Sequence, residues 1–282
     1  MRTDRALTPD VIRSHNHAVC FRLSPSRLFL VAIIGWWAGL QFLAKREARV
    51  GRRSSETSMK LDQLFVFAER LRKEAIGEPE WIAEKEAYEY QEQSARVVAV
   101  LKITRAAQGL TALTLLCGSG LFIDFGAIIR CVNDCAEEVY FLLEEFPNTS
   151  RHVDQFIKAF FENTIDGYLL NKTPSVERAK IRSAVVRVLK GSHDEGTRRL
   201  MENIYKAFCG YVHANYAHIM EVYNGHSHDF NLTGVPSVQQ RQMRMEHVEL
   251  AANSVLHATA FAAHTLGLRD LHHDIVQSWQ QY

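Results

Sequence analysis

The 282-residue chain contains only six prolines and 15 glycines. So small a supply of chain-breaking residues leaves little room for the turn-dense layout of a β-sandwich or barrel. Its five cysteines, Cys20, Cys117, Cys131, Cys135 and Cys209, fall at irregular spacings and include no Cys-x-x-Cys pair. They offer neither a disulfide framework nor a zinc or redox motif, and imply free thiols. Net charge is almost absent at a formal +1, so no overall field selects nucleic acid or an anionic membrane. Neither a Gly-x-x-x-x-Gly-Lys loop nor a Gly-x-Gly-x-x-Gly turn after a strand occurs. The usual ATP and dinucleotide sites are therefore not expected, and no cofactor is implied.

The residues that are present favour helix. With 47% hydrophobic and 23% charged residues, disorder over most of the chain is excluded, and long windows rich in Ala, Leu, Glu, Arg and Gln read as helical. Leu61, Leu64, Phe65, Phe67, Ala68 and Leu71 mark a first amphipathic helix that ends at Gly77 and Pro79. A second is expected from about Trp81 to Leu116, closed by Cys117-Gly118-Ser119-Gly120. Further helices are expected over Phe122 to Phe146, Val153 to Leu170, Ser175 to Lys190, Thr197 to Tyr223, Ser237 to Leu266 and Arg269 to Trp279. The fold class is all-α: a multi-helix bundle of about six to eight helices from Met59 onward. Residues 59–120 supply N-terminal helices that pack on a bundle of residues 121–282.

Residues 1–58 differ from the rest. From Met1 to Glu56, nine Arg and one Lys face Asp4, Asp10, Glu47 and Glu56, a formal +6 that leaves −5 over the remainder. Leu28 to Ala44 is a 17-residue run without a charge, at the short edge of a membrane span. Lys45, Arg46 and Arg49 follow it in place of a small-residue cleavage site, which argues against a signal peptide. Three readings follow: a membrane anchor that keeps the body cytoplasmic, an upstream or poorly ordered stretch before a true start at Met59, or an ordinary helix packed on the body. A cytoplasmic protein is expected, with membrane as a partner only if 28–44 is an anchor.

Ten of the 13 histidines lie beyond position 190, yet none stands in a His-Glu-x-x-His or comparable ligand spacing, so no metal site is expected. The helix from Phe122 carries an apolar stripe at Phe125, Ile128, Val132, Cys135, Val139, Leu142 and Phe146, with Arg130, Asn133, Asp134 and Glu137 on its other side. On the helix from Thr197, 100° per residue groups Glu202, Lys206, Cys209, His213, Tyr216 and Met220 opposite a core stripe of Ile204, Phe208, Tyr211, Ile219 and Val222. Such strips are commonly solvated faces carrying i,i+4 ion pairs such as Arg130 with Asp134. Cys209 and His213 share a face at thiolate-imidazole spacing, although packing is the commoner role of such a cysteine.

The stretch Ile129-Arg130-Cys131-Val132-Asn133-Asp134, followed by Tyr205-Lys206-Ala207-Phe208-Cys209-Gly210-Tyr211-Val212-His213-Ala214-Asn215-Tyr216, resembles the helical bacterial proteins of the HEPN superfamily (higher eukaryotes and prokaryotes nucleotide-binding). The resemblance spans roughly Leu121 to Leu266. It implies a HEPN-like helical core, a tendency to homodimerise, and RNA as a partner. Active members cut RNA without metal, using an Arg, four to six intervening residues and a His. His213 matches the His, whereas the residue seven before it is Lys206 and no Arg lies in the window. The resemblance implies His213 as general acid or base for attack by a ribose 2′-hydroxyl, Lys206 as phosphate contact and Arg130 as a second cation on a neighbouring helix. Asp134 or Glu137 would orient a cation, with Asn133 and Tyr216 in support. The expected function is RNA binding or metal-independent RNA cleavage in bacterial stress or defence; the alternative is a non-catalytic helical interaction or scaffold protein with a degenerate site.

Every strongly periodic apolar stripe lies beyond the charge boundary, so a Met59–Tyr282 fragment is expected to fold alone. Circular dichroism should find its helicity and cooperative melting retained; aggregation on removal of the first 58 residues would promote Leu28–Ala44 to a core element.

Overall fold

The computed structural model describes residues 53–162 and 173–280. Nine α-helices form a multi-helix bundle among the described residues: α1 (Arg53–Ile76), α2 (Ala95–Ser119), α3 (Phe122–Leu143), α4 (Arg151–Glu162), α5 (Arg178–Lys190), α6 (Glu195–Val212), α7 (Tyr216–Met220), α8 (Val238–Thr265) and α9 (Arg269–Gln280). Two short antiparallel hairpins interrupt them, β1 (Glu80–Ile82) with β2 (Ala87–Glu89) and β3 (Tyr223–Asn224) with β4 (Asp229–Phe230). The all-α bundle expected from periodicity is present. Among the described residues the transmembrane expectation is corrected: none of their helices is long and apolar enough to cross a membrane. Leu28–Ala44, on which that expectation rested, lies outside the described residues.

The core is built around α2, α3 and α8. Ser94 accepts a hydrogen bond from the Val97 amide and starts α2, whose Val98, Val100, Ile103, Leu110 and Leu113 are fully enclosed. α3 returns along α2, and Phe125, Val132, Val139 and Leu142 fill the space between them. α8 lays Ala251, Val255, Ala258, Ala262 and Ala263 against both, small side chains that let three backbones approach closely. Leu61, Leu64, Phe67, Ala68 and Leu71 of α1 join the same core. Leu271 and Ile275 of α9 complete it, and Arg70 binds Asp274 at 2.7 Å across the α1–α9 seam.

The Gly-Ser-Gly break proves to be a tight turn. Gly120 caps α2 with φ +72°, its amide donating to the Cys117 carbonyl, and its own carbonyl accepts from the Val235 amide at 2.9 Å. A β-carbon at Gly120 would sit 2.3 Å from the Val235 carbonyl oxygen, so glycine serves both the left-handed conformation and the close approach. Leu110 to Ile129 therefore divides into the end of α2 and the start of α3.

Two expected helices are shorter than periodicity indicates. The helix expected from Trp81 begins only at Ala95, because residues 80–89 form a hairpin in which Trp81 faces Tyr88, their rings edge to face at 5.0 Å. Aromatic cross-strand pairing favours this arrangement over a helix whose first turns would hold few apolar residues. The helix expected to run from Thr197 to Tyr223 stops at Val212; Ala214 takes φ +48° and α7 starts at Tyr216. No proline or glycine lies between Val212 and Tyr216. What fixes it is tertiary: the Tyr211 hydroxyl donates to Glu221 Oε1 at 2.7 Å, and Arg244 of α8 binds both Tyr211 and Glu221. α1, in turn, starts at Arg53, ahead of Met59.

Two glycines set the α3–α6–α7 junction. A β-carbon on Gly126 would lie 2.2 Å from the Tyr211 ring, and one on Gly210 would lie 2.0 Å from the His218 ring. Gly126→Ala gains helix propensity but overpacks the junction, so it should lower stability by about 1–3 kcal/mol in denaturant titration. A neutral or stabilising result would mean that Tyr211 is free to move.

Candidate functional site

α3 is buried on both faces, and the second face is charged. Beyond the apolar stripe lie Arg130, Asp134 and Glu138, at spacings of four residues, with Asn133 and Glu137 beside them. Against this face pack α5 and α6. Arg178 of α5 reaches Asp134 Oδ2 at 3.1 Å and Glu138 Oε1 at 2.7 Å, while Lys102 of α2 approaches Glu138 Oε2 at 2.6 Å. Arg130 donates to the Tyr205 hydroxyl of α6 at 2.7 Å, and its Nε stands 3.7 Å from Asp134 Oδ2. The Tyr205 ring meets two guanidinium groups, Arg130 at 4.5 Å and Arg182 at 4.7 Å from its centroid. Cation–π attraction holds both when water is excluded.

Beside this cluster, α3, α5, α6 and α8 line a partly open cavity of about 60 Å³. Arg130, Asn133, Asp134 and Glu137 supply one polar wall, and Ser254 with His257 of α8 another. Val185, Leu189, Met201, Ile204 and Phe208 make the remainder apolar. The volume suits a few waters or one small molecule.

Burial sets the electrostatics of the walls. Glu137 Oε2 has no hydrogen-bond partner. Burial, reinforced by the charge of Asp134, raises the Glu137 carboxyl to about 8 against the opposing pull of Arg178 and Arg182. Burial also raises Asp134, although Arg178 and Arg130 restrain it. His257, whose ring lies 4.3 Å from that of Trp279, is pushed down to about 4 by burial. At neutral pH the cavity thus carries a protonated carboxyl, a neutral imidazole and a guanidinium. Arg182, only 6% exposed, leaves Nε and Nη1 without hydrogen bonds.

The residues singled out by the sequence divide into two groups. Arg130, Asn133, Asp134 and Glu137 line the cavity together. Their strip is no solvated face: in the Arg130–Asp134 pair the side chains are only 19% and 16% exposed. Lys206, His213 and Tyr216 lie outside the cavity lining. Lys206 is 67% exposed and paired with Glu202 at 2.8 Å. His213 is exposed at the C-cap of α6, its amide donating to the Cys209 carbonyl. Tyr216, 79% exposed, opens α7 and so leaves the arc it would share with Lys206 on a continuous helix. α3 and α6 are neighbours running in opposite directions, with Gly126 at Tyr211 and Arg130 at Tyr205. That order sets His213 about 12 Å along α6 from the level of Arg130, at roughly 1.5 Å per residue.

Several residues of the cluster are not among the site residues named from the sequence: Lys102, Glu138, Arg178, Arg182, Tyr205, Ser254 and His257. A signal for two of them exists. Arg178 and Arg182 continue the stripe of Ile181, Val185 and Leu189 on α5, and a cation inside an apolar stripe calls for a buried partner. Among the described residues no group of three or more His, Cys, Asp or Glu side chains is arranged to hold a metal ion.

Comparison of the chain with protein-family models, curated proteins and solved structures gives no match. The resemblance to HEPN proteins therefore rests on its motif residues alone.

The Glu137 carboxyl binds its proton more tightly in the folded than in the unfolded chain, so its contribution to stability falls as pH rises from about 4.5 to about 8. Glu137→Gln removes that loss. In urea unfolding at stepped pH, the stability of the variant relative to wild type should grow across this interval and level off above it. His257 acts with the opposite sign but is common to both proteins and cancels. A pH-independent difference would show that Glu137 titrates as an ordinary carboxylate.

Proposed function

We propose that the chain is a non-catalytic helical binding protein whose binding site is the cavity between α3, α5, α6 and α8. The observation that carries this reading is the separation of the cavity from the groups that cleavage would need. The cavity walls hold Arg130, Asp134 and Glu137, whereas His213 is solvent-exposed at the end of α6 and Lys206 is engaged by Glu202. General acid–base catalysis requires the titrating group within hydrogen-bond reach of the reacting atoms, along with a phosphate contact. An amine already held by a carboxylate on an open helix face makes a weak phosphate anchor, and lacks the fork geometry of arginine.

The alternative is a HEPN-like protein that binds or cuts RNA. It draws on the adjacency of α3 and α6 and on the accessibility of His213. The two readings part in one experiment: total RNA is incubated with wild type and with His213→Ala, each with and without a chelator. The binding-protein reading expects intact RNA throughout. Chelator-resistant cutting by wild type that disappears in His213→Ala would replace it with the RNA-cutting reading, and Lys206→Arg should then raise the rate by restoring a fork donor.

A further inference from the structure

We propose that the cavity takes a small organic carboxylate with a short apolar body, its carboxylate set between the Arg130 guanidinium and the Glu137 carboxyl. The proposal rests on the binding-protein reading and names the ligand class of that site.

Three features point to an acid. The first is shape and lining: about 60 Å³, with Val185, Leu189, Met201 and Phe208 opposite the polar wall of α3. An apolar body of a few carbons matches the first surface and one polar head the second. The second is unmet hydrogen bonding. Arg130 Nε is a buried donor without a hydrogen-bond partner, and the Glu137 carboxyl also carries an unpartnered oxygen. Buried polar atoms left so are costly, and a ligand whose head accepts from one group and shares a proton with the other would relieve both.

The third is charge. Glu137 is faced on α3 by Arg130, Asp134 and Glu138, on α5 by Arg178 and Arg182, on α6 by Tyr205 and on α8 by His257, with Lys102 of α2 behind Glu138. With Glu137 protonated and His257 neutral, four cations oppose two carboxylates. An ammonium ligand would enter a field of its own sign, whereas a carboxylate balances it. Asp134 is already paired with Arg178 at 3.1 Å, so it repels an incoming anion less than a free carboxylate would.

Protonated Glu137 offers its O–H to a ligand carboxylate. Once ionised it offers only a second negative charge, so affinity should fall as pH rises through about 8. Glutamine keeps the donor and cannot ionise.

The test is calorimetric titration and thermal shift of the full chain with acetate and propionate, against methylamine and ethylamine of matching shape. The acids should bind saturably at pH 7 and the amines should not. Arg130→Met should weaken the acids roughly 10-fold or more, the loss of one charge-assisted hydrogen bond. Should Arg130→Met fail to fold, Met201→Phe, which fills the cavity from its apolar side, should abolish binding. Glu137→Gln should lose the decline above pH 8, so that its affinities at pH 7 and pH 9 match whatever their absolute level. Binding of amines in preference to acids, no binding of either, or acid binding unchanged in Met201→Phe would overturn the proposal. Failure of the ligand class leaves RNA intact, whereas failure of the binding-protein reading appears as chelator-resistant RNA cutting, so the two are distinguishable.

Discussion

Burial of both faces of α3 is the constraint from which the rest of the bundle follows. One face is apolar and needs only volume, which α2 and α8 provide through Val98, Leu110, Val255 and Ala258. The other carries Arg130, Asp134, Glu137 and Glu138 and cannot be covered by aliphatic side chains, because an unpaired buried charge costs several kcal/mol. Whatever packs there must bring charges of its own. α5 does so with Arg178 and Arg182, α6 brings Tyr205 as hydroxyl acceptor and aromatic platform, and Lys102 arrives from α2. Where the match is incomplete, a cavity remains.

The apolar half of this arrangement is legible in the sequence. Leu61, Leu64, Phe67, Ala68 and Leu71 recur at helical spacing and are buried, and the α3 stripe from Phe125 to Leu142 faces the core. The Gly-Ser-Gly break separates two helices because the conformation of Gly120 is local chemistry. The misread boundaries are those decided by distant residues. Trp81 and Tyr88 pair across a hairpin that lacks the usual Asn-Gly or Asp-Gly signal, and α6 ends where Arg244, more than thirty residues on, binds Tyr211 and Glu221. Periodicity alone extends such a helix through the break, since a window of hydrophobicity carries no record of tertiary hydrogen bonds.

The site was half legible for the same reason. Arg130, Asn133, Asp134 and Glu137 share one helix, so spacing alone gathers them, and the structure places all four on one cavity wall. Grouping Lys206, His213 and Tyr216 assumed a continuous helix, and the turn at Ala214 divides that arc. His257 and Ser254 belong to a helix whose buried positions are mostly alanine. Nothing in their spacing distinguishes them from packing residues.

The charged face also does something the apolar face cannot. Alanine-rich and valine-rich surfaces tolerate a shift of one helical turn with little change in contact, because the side chains on either side of the seam are alike. A slip of α5 by one turn, about 5.4 Å, carries one of Arg178 and Arg182 into the place of the other, so that only one of the two sites, the Asp134–Glu138 carboxylates or the Tyr205 ring, keeps its cation from α5. Breaking a buried pair on one side costs on the order of 3–5 kcal/mol, more than most apolar rearrangements recover. The burial of α2, α3 and α8 therefore supplies adhesion, while Arg178 and Arg182 fix the register in which α5 and α6 meet α3. The same register leaves Glu137 facing space instead of a partner, so the cavity is a consequence of how the charges align and would not survive an apolar redesign of that face.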